Sequence, residues 1–107
     1  MFHPTLLIID DDPAELNALA EYVKTEGKYD VIAETDPRAA LKKLTETTVD
    51  LVLSDWRMPG FTGLDVLNAV RELQEGLPVV IFSGYDEPTV IVEAIPVSYT
   101  HLRAHET

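Results

Sequence analysis

Short, nearly unbroken apolar runs alternate along this chain with longer segments in which apolar residues recur every three or four positions. The runs at 5–9 (TLLII), 29–34 (YDVIAE), 50–54 (DLVLS) and 78–83 (PVVIFS) have strand length and predict four strands. Between them the period becomes that of an amphipathic helix. Residues 13–26 place Leu16, Leu19, Ala20 and Val23 on one face, with Pro13 at the start and Gly27 as the stop. Asp36 and Pro37 supply the N-cap and first residue of a second helix carrying Ala40, Leu41 and Leu44. After the loop MPGFTG, a third helix over 64–75 turns Val66, Leu67, Val70 and Leu73 inward and stops at Gly76. A fourth helix begins at Glu87.

Strands without a polar face, alternating with helices, predict an α/β fold: a parallel sheet covered on both sides. In such sheets the crossovers are right-handed, and ligands sit beyond the carboxyl ends of the strands. A length of 107 residues holds one domain, and 46% hydrophobic residues suffice for its core.

Charge narrows the function. A net charge of −11 disfavours direct nucleic-acid binding by this domain, because phosphates are repelled. The absence of cysteine excludes disulfides, thiolate metal sites and cysteine nucleophiles. No apolar run is long enough to span a bilayer, and no basic segment leads into an apolar one. The expectation is a cytoplasmic protein without a membrane partner.

The last dozen residues, PVSYTHLRAHET, break the pattern. Pro96 interrupts the fourth helix, and His101 and His105 stand at a spacing that could pair metal ligands on a helix. The stretch resembles, residue for residue, a translated sequencing adapter of the transposase type. We therefore set 96–107 aside as a non-native tail and take 1–95 as the domain.

The candidate chemistry lies at strand ends. Asp10 and Asp11 follow the first strand and Asp55 the third. If those strands are neighbours, three carboxylates come together and repel one another unless a cation offsets them. A hard divalent ion with oxygen ligands, Mg²⁺ first, suits such a set, and Ser83 at the end of the fourth strand could add a hydroxyl. Asp12 has a plainer role: it precedes Pro13 and stands three residues before Glu15, the spacing of a capping box. Trp56 is expected as a partly exposed loop aromatic, Pro59-Gly60 as a turn, and His3 without a role.

LLIIDDDP, DLVLSDWRMPGFTG and PVVIFSGYDE, in this order and spacing, resemble the receiver domain of bacterial two-component response regulators. The resemblance implies a flavodoxin-like, doubly wound parallel sheet of strand order 2-1-3-4, with the family's fifth strand and fifth helix missing. It implies a signalling module and not an enzyme. Asp55 would accept a phosphoryl group from a sensor histidine kinase or phosphotransfer protein, and the intact parent would switch a downstream output or act alone. Asp11, Asp55 and the Arg57 backbone carbonyl would bind Mg²⁺ directly, with Asp10 acting mainly through metal-bound water. Ser83 would contact the phosphoryl, and Arg57, Gly84 and Tyr85 would tune access to it. Thr62 stands where the family commonly has Asp, and can still cap the next helix.

The family's fifth-strand lysine and switch aromatic have no counterpart here. Lys24, Lys28, Lys42 and Lys43 all precede the third strand. Weak phosphorylation is therefore expected, and an open edge at the fourth strand would favour self-association. Two alternatives compete. A haloacid-dehalogenase-like phosphohydrolase would use Asp10 and Asp12 as its D-x-D pair, although Pro13 and Ala14 fit that motif poorly. A pseudo-receiver would bind partners without phosphorylation.

Overall fold

The structure, a computed structural model, describes residues 3–83 and 89–94. Strands β1 (Thr5–Ile9), β2 (Asp30–Glu34), β3 (Leu51–Asp55) and β4 (Val79–Ser83) run parallel in the order β2-β1-β3-β4. This is the flavodoxin-like order that the sequence motifs imply. The connections are helices α1 (Pro13–Glu26), α2 (Pro37–Glu46) and α3 (Gly63–Leu73).

β1 lies inside the sheet, between β2 and β3, and both its faces are apolar. Leu7 and Ile9 join the larger core with Ala40, Leu44, Val66, Val70 and Ile81, under α2 and α3. Leu6 and Ile8 face the other way, against Leu16 and Ala20 of α1. Each such buried Val, Leu or Ile side chain contributes about 1.5–3 kcal/mol relative to its exposed state. A one-residue slip of β1 would exchange these two sets.

The helix ends follow local chemistry. The Asp12 side chain accepts the N–H groups of Ala14 and Glu15, and Gly27 closes α1 in the left-handed conformation with φ 71°. Asp36 accepts the Arg38 N–H at the start of α2. α3 begins one residue earlier than its periodicity suggests and ends at Leu73, ahead of Gly76. Leu73, expected inward, is 47% exposed. It is the last residue of the helix, and Leu77 in the following connection fills that end of the core instead.

The sheet differs from expectation after β4. Instead of a helix from Glu87, β5 (Thr89–Ala94) pairs antiparallel with β4, in register Ile81↔Ile91 and Ser83↔Thr89. The edge of β4 is therefore covered. TVIVEA opens with four β-branched residues, which favour extended backbone. Five residues separate the two strands, enough for a hairpin, whereas a parallel return needs a crossover of a dozen or more. The boundary at 95 and the tail 96–107, with His101 and His105, lie outside the described residues.

Candidate functional site

The register Ile9↔Ser54 between β1 and β3 fixes the site, because the next residues along the two strands are Asp10 and Asp55. Oxygen atoms of Asp10, Asp11 and Asp55 lie within 4.8 Å of one another. Asp10 is fully buried, Asp11 is exposed, and Asp55 lies between those extremes. One oxygen of Asp10, Oδ1, accepts the Asp12 N–H at 3.0 Å. The other, Oδ2, is buried and has no hydrogen-bond partner among the described residues.

Such an arrangement resists ionisation. Burial, foremost, pushes the Asp10 carboxyl up to about 8; contact with the Glu15 carboxyl and the negative charge of Asp55 add to this, while the Asp12 N–H opposes it. Asp55 is also raised, first by burial and then by the charges of Glu15 and Asp11. The N–H groups of Trp56 and Arg57 pull the other way. The Trp56 N–H is shared, with its main partner the Phe82 carbonyl at 2.8 Å. A buried oxygen without a donor, in an all-oxygen set of three acids, fits a hard divalent cation.

The loop after β3 is built to leave Asp55 at the strand end. Phe61 donates its N–H to the Met58 carbonyl at 3.1 Å, closing a turn with Pro59 and Gly60 at its centre. Gly60 has φ 72°, as its place in a type II turn demands. The Gly63 N–H then returns to the Trp56 carbonyl at 2.8 Å. Thr62 and Asp65 form a complete capping box on α3, so Thr62 does cap this helix. Trp56 is half-buried against the larger core and lines an open pocket of ≈ 500 Å³ with Arg57, Met58, Pro59 and Thr62.

The other expected residues fall as follows. Asp12 is committed to α1 and is not one of the three clustered acids. The capping box expected of Asp12 and Glu15 is only half formed, because Asp10 takes the Asp12 N–H that Glu15 would have accepted. Glu15 therefore does not complete the capping box that its spacing suggests. Arg57 follows Trp56 with an exposed side chain. Ser83 ends β4, one residue beyond Phe82, the register partner of Asp55. Gly84 and Tyr85 lie outside the described residues. His3 faces Asp30 at 3.7 Å on the surface, a contact worth little.

The family profile of the response regulator receiver domain matches residues 6–101. The chain belongs to that family. It is 35% identical over 80 residues to the transcriptional regulatory protein GlrR of Escherichia coli (strain K12), an alignment covering 75% of this chain and 18% of that protein. The chain thus corresponds to about a fifth of that relative's length. Among solved structures, the response regulator protein TrrA of Thermotoga maritima in complex with Mg²⁺-BeF is similar with a TM-score of 0.71 and 30% identity. That match covers 78% of this chain and 71% of the other. TrrA in complex with the histidine kinase ThkA gives a TM-score of 0.70 at 30% identity, over 78% and 72% of the two chains. Among the described residues, no helix of this receiver domain is long and apolar enough to cross a membrane.

Proposed function

We propose that Asp55 of this receiver domain accepts a phosphoryl group from a phosphohistidine of a sensor histidine kinase or phosphotransfer protein. A divalent cation, Mg²⁺ first, is held by Asp10, Asp11, Asp55 and the Arg57 backbone carbonyl. One observation carries this reading: three carboxylates converge at the ends of adjacent parallel strands, with a buried Asp10 oxygen that has no donor among the described residues. The kinase complex of TrrA supports the class of partner, and its Mg²⁺-BeF complex supports the cation.

Asp55 is the nucleophile because it ends a rigid strand and lies only partly buried, so one oxygen can face an incoming phosphorus in line. Its carboxylate forms the new P–O bond as the P–N bond to the donor histidine breaks. The imidazole, protonated on its other nitrogen, leaves neutral. Asp10 and Asp11 hold negative charge beside it that only a cation makes compatible with a phosphoryl group. A bound divalent ion supplies charge neutralisation for the carboxylates and the phosphoryl oxygens. Ser83 at the end of β4 provides a hydroxyl for the phosphoryl group. The intact parent, acting in the cytoplasm, passes the change to an output, as the greater length of GlrR suggests.

Incubation with an acyl phosphate or phosphoramidate and Mg²⁺, followed by intact-mass and peptide mapping, tests this. A single adduct at Asp55, absent in Asp55→Asn, is the expected result. An adduct mapping to Asp10 would support the dehalogenase-like alternative, which the capping role of Asp12 disfavours. Partner binding unchanged by Asp55→Ala, without any adduct, would support the pseudo-receiver alternative.

A further inference from the structure

Ser54 is a polar side chain at an apolar place in the sheet. Its register partners are Ile9 of β1 and Ile81 of β4, and all three residues are fully buried. It shares the face of Val52, toward the larger core, whereas the next residue, Asp55, leaves the strand on the opposite face. Packing alone would favour an apolar side chain here, since a buried hydroxyl costs stability unless it is hydrogen-bonded. The Ser54 hydroxyl donates to the carbonyl of Asp55 at 3.0 Å.

That carbonyl belongs to the peptide joining Asp55 to Trp56, and the chain around it is held from two further sides. The Trp56 N–H donates to the Phe82 carbonyl at 2.8 Å, directly before Ser83, and the Trp56 carbonyl accepts the Gly63 N–H at 2.8 Å. The start of α3 comes so near that a Cβ on Gly63 would lie 3.1 Å from the Asp55 carbonyl oxygen. We infer that Ser54 is a positioning residue for phosphoryl acceptance: through the Asp55 carbonyl, its hydroxyl fixes the peptide that sets Asp55 against the end of β4 at Ser83. The inference rests on reading Asp55 as the acceptor. It adds to that reading a side chain on the other face of the strand, away from the reacting atoms.

Without the hydroxyl, the peptide can turn about the bonds on either side of it and carry the Asp55 carboxylate with it. In-line attack on phosphorus demands one direction, and a misplacement of about 1 Å can cost about 100-fold in rate. A carboxylate can follow a bound ion by rotating its own side-chain bonds. The rate of phosphoryl acceptance should therefore fall more than the affinity for a cation.

The test uses the full 107-residue chain with acetyl phosphate and saturating MgCl₂. Asp55 forms its bond to phosphorus as the bond to the acetyl oxygen breaks and acetate leaves, and intact mass with peptide mapping follows the adduct. Mg²⁺ affinity is read separately from the emission of Trp56, the single tryptophan. Ser54→Ala is expected to slow labelling about 3- to 30-fold. Its Mg²⁺ affinity should stay within about twofold, because no charge is removed. Ser54→Thr, which keeps the hydroxyl, should regain most of the rate. Val52→Ala, which thins the same buried face without touching this peptide, should label like the parent. Ser54→Cys, close to Ser in size but a weak donor, carries the same expectation as Ser54→Ala should that variant not fold by circular dichroism. If the folded Ser54→Ala or Ser54→Cys protein labels at the parent's rate, the inference about Ser54 is overturned and Asp55 stands as the acceptor. Equal slowing in Ser54→Thr or Val52→Ala would place the effect in packing and overturn it too. If the parent gives no adduct at Asp55, both readings fall.

Discussion

Asp10 holds the backbone N–H of Asp12 at 3.0 Å, and Asp12 in turn caps α1 by accepting the N–H of Ala14 at 3.0 Å and of Glu15 at 3.4 Å. The buried acid at the end of β1 is thereby tied to the first turn of the helix that follows. These two aspartates, with Asp11 between them, serve different ends: Asp10 belongs to the cluster and Asp12 caps the start of α1.

Asp12→Ala should therefore cost stability without removing the phosphoryl acceptor. Loss of an N-cap destabilises by about 1 kcal/mol, and Asp12→Asn, which can still accept those N–H groups, should cost less. Urea unfolding of the two variants gives the comparison. If folded Asp12→Ala could no longer be labelled at Asp55, Asp12 would belong to the chemistry and not only to the helix.

Asp10→Asn should stabilise the metal-free protein and flatten its pH dependence. The folded Asp10 carboxyl titrates near 8, above its ordinary value of 3.8. The folded state therefore holds this proton more tightly than the unfolded state does. Its contribution to stability is complete below about pH 4 and is lost as pH rises toward and through about 8. Discounted for screening by water at a strand end, Asn should gain about 1–3 kcal/mol near pH 8 and little near pH 4. Thermal melts of both proteins across this range, without divalent ions, check the sign. A stabilisation that grew toward low pH would contradict it. Added Mg²⁺ should raise the melting temperature of the parent more than that of Asp10→Asn.

The legible parts of the molecule were those fixed by local pattern. The apolar runs ended close to where the strands end, and Asp10, Asp11 and Asp55 stood out because acids seldom follow such runs without a reason. Their meeting depends on β1 and β3 being neighbours, which the receiver-like motifs implied and the register Ile9↔Ser54 shows. Glu15 was misread because competition for the Asp12 N–H comes from Asp10, two residues back across the end of the strand. No helical spacing records that competition. β5 was misread for a related reason. Its segment carries apolar residues that suit either period, and the deciding partner was the unpaired edge of β4, a tertiary feature. Leu73 failed because burial at a helix end depends on what lies beside the last turn, here Leu77.

Gly63→Ala should be destabilising although its helix position would ordinarily favour Ala. A Cβ at Gly63 would lie 2.8 Å from Ile81 Cγ2, 3.1 Å from the Asp55 carbonyl and 3.3 Å from Trp56 Cα. The Ile81 methyl belongs to a buried, β-branched side chain, and the other two atoms are backbone, so none can move cheaply. Overpacking of this kind costs about 1–3 kcal/mol. Because the displaced backbone carries Asp55 and Trp56, the Trp56 emission of the folded variant should also change. An unaltered spectrum with Ala-like stabilisation would mean that α3 can draw back from the sheet freely.

β5 should protect β4 from solvent and from other chains. The N–H groups of Val52 in β3 and of Trp56 just beyond it go to the carbonyls of Pro78, just before β4, and of Phe82, so alternate residues along β4 face β3. By the two-residue period, the backbone groups of Val79, Ile81 and Ser83 face β5. The Ile81 amide should then exchange with solvent slowly in the full chain. In a chain shortened to residues 1–87, those groups become an open parallel-sheet edge, the form of exposure that invites pairing between copies. The shortened chain should show faster exchange at Ile81 and a concentration-dependent increase in size by light scattering. Equal exchange rates and a single small species in both chains would show that β5 contributes nothing to the edge of β4.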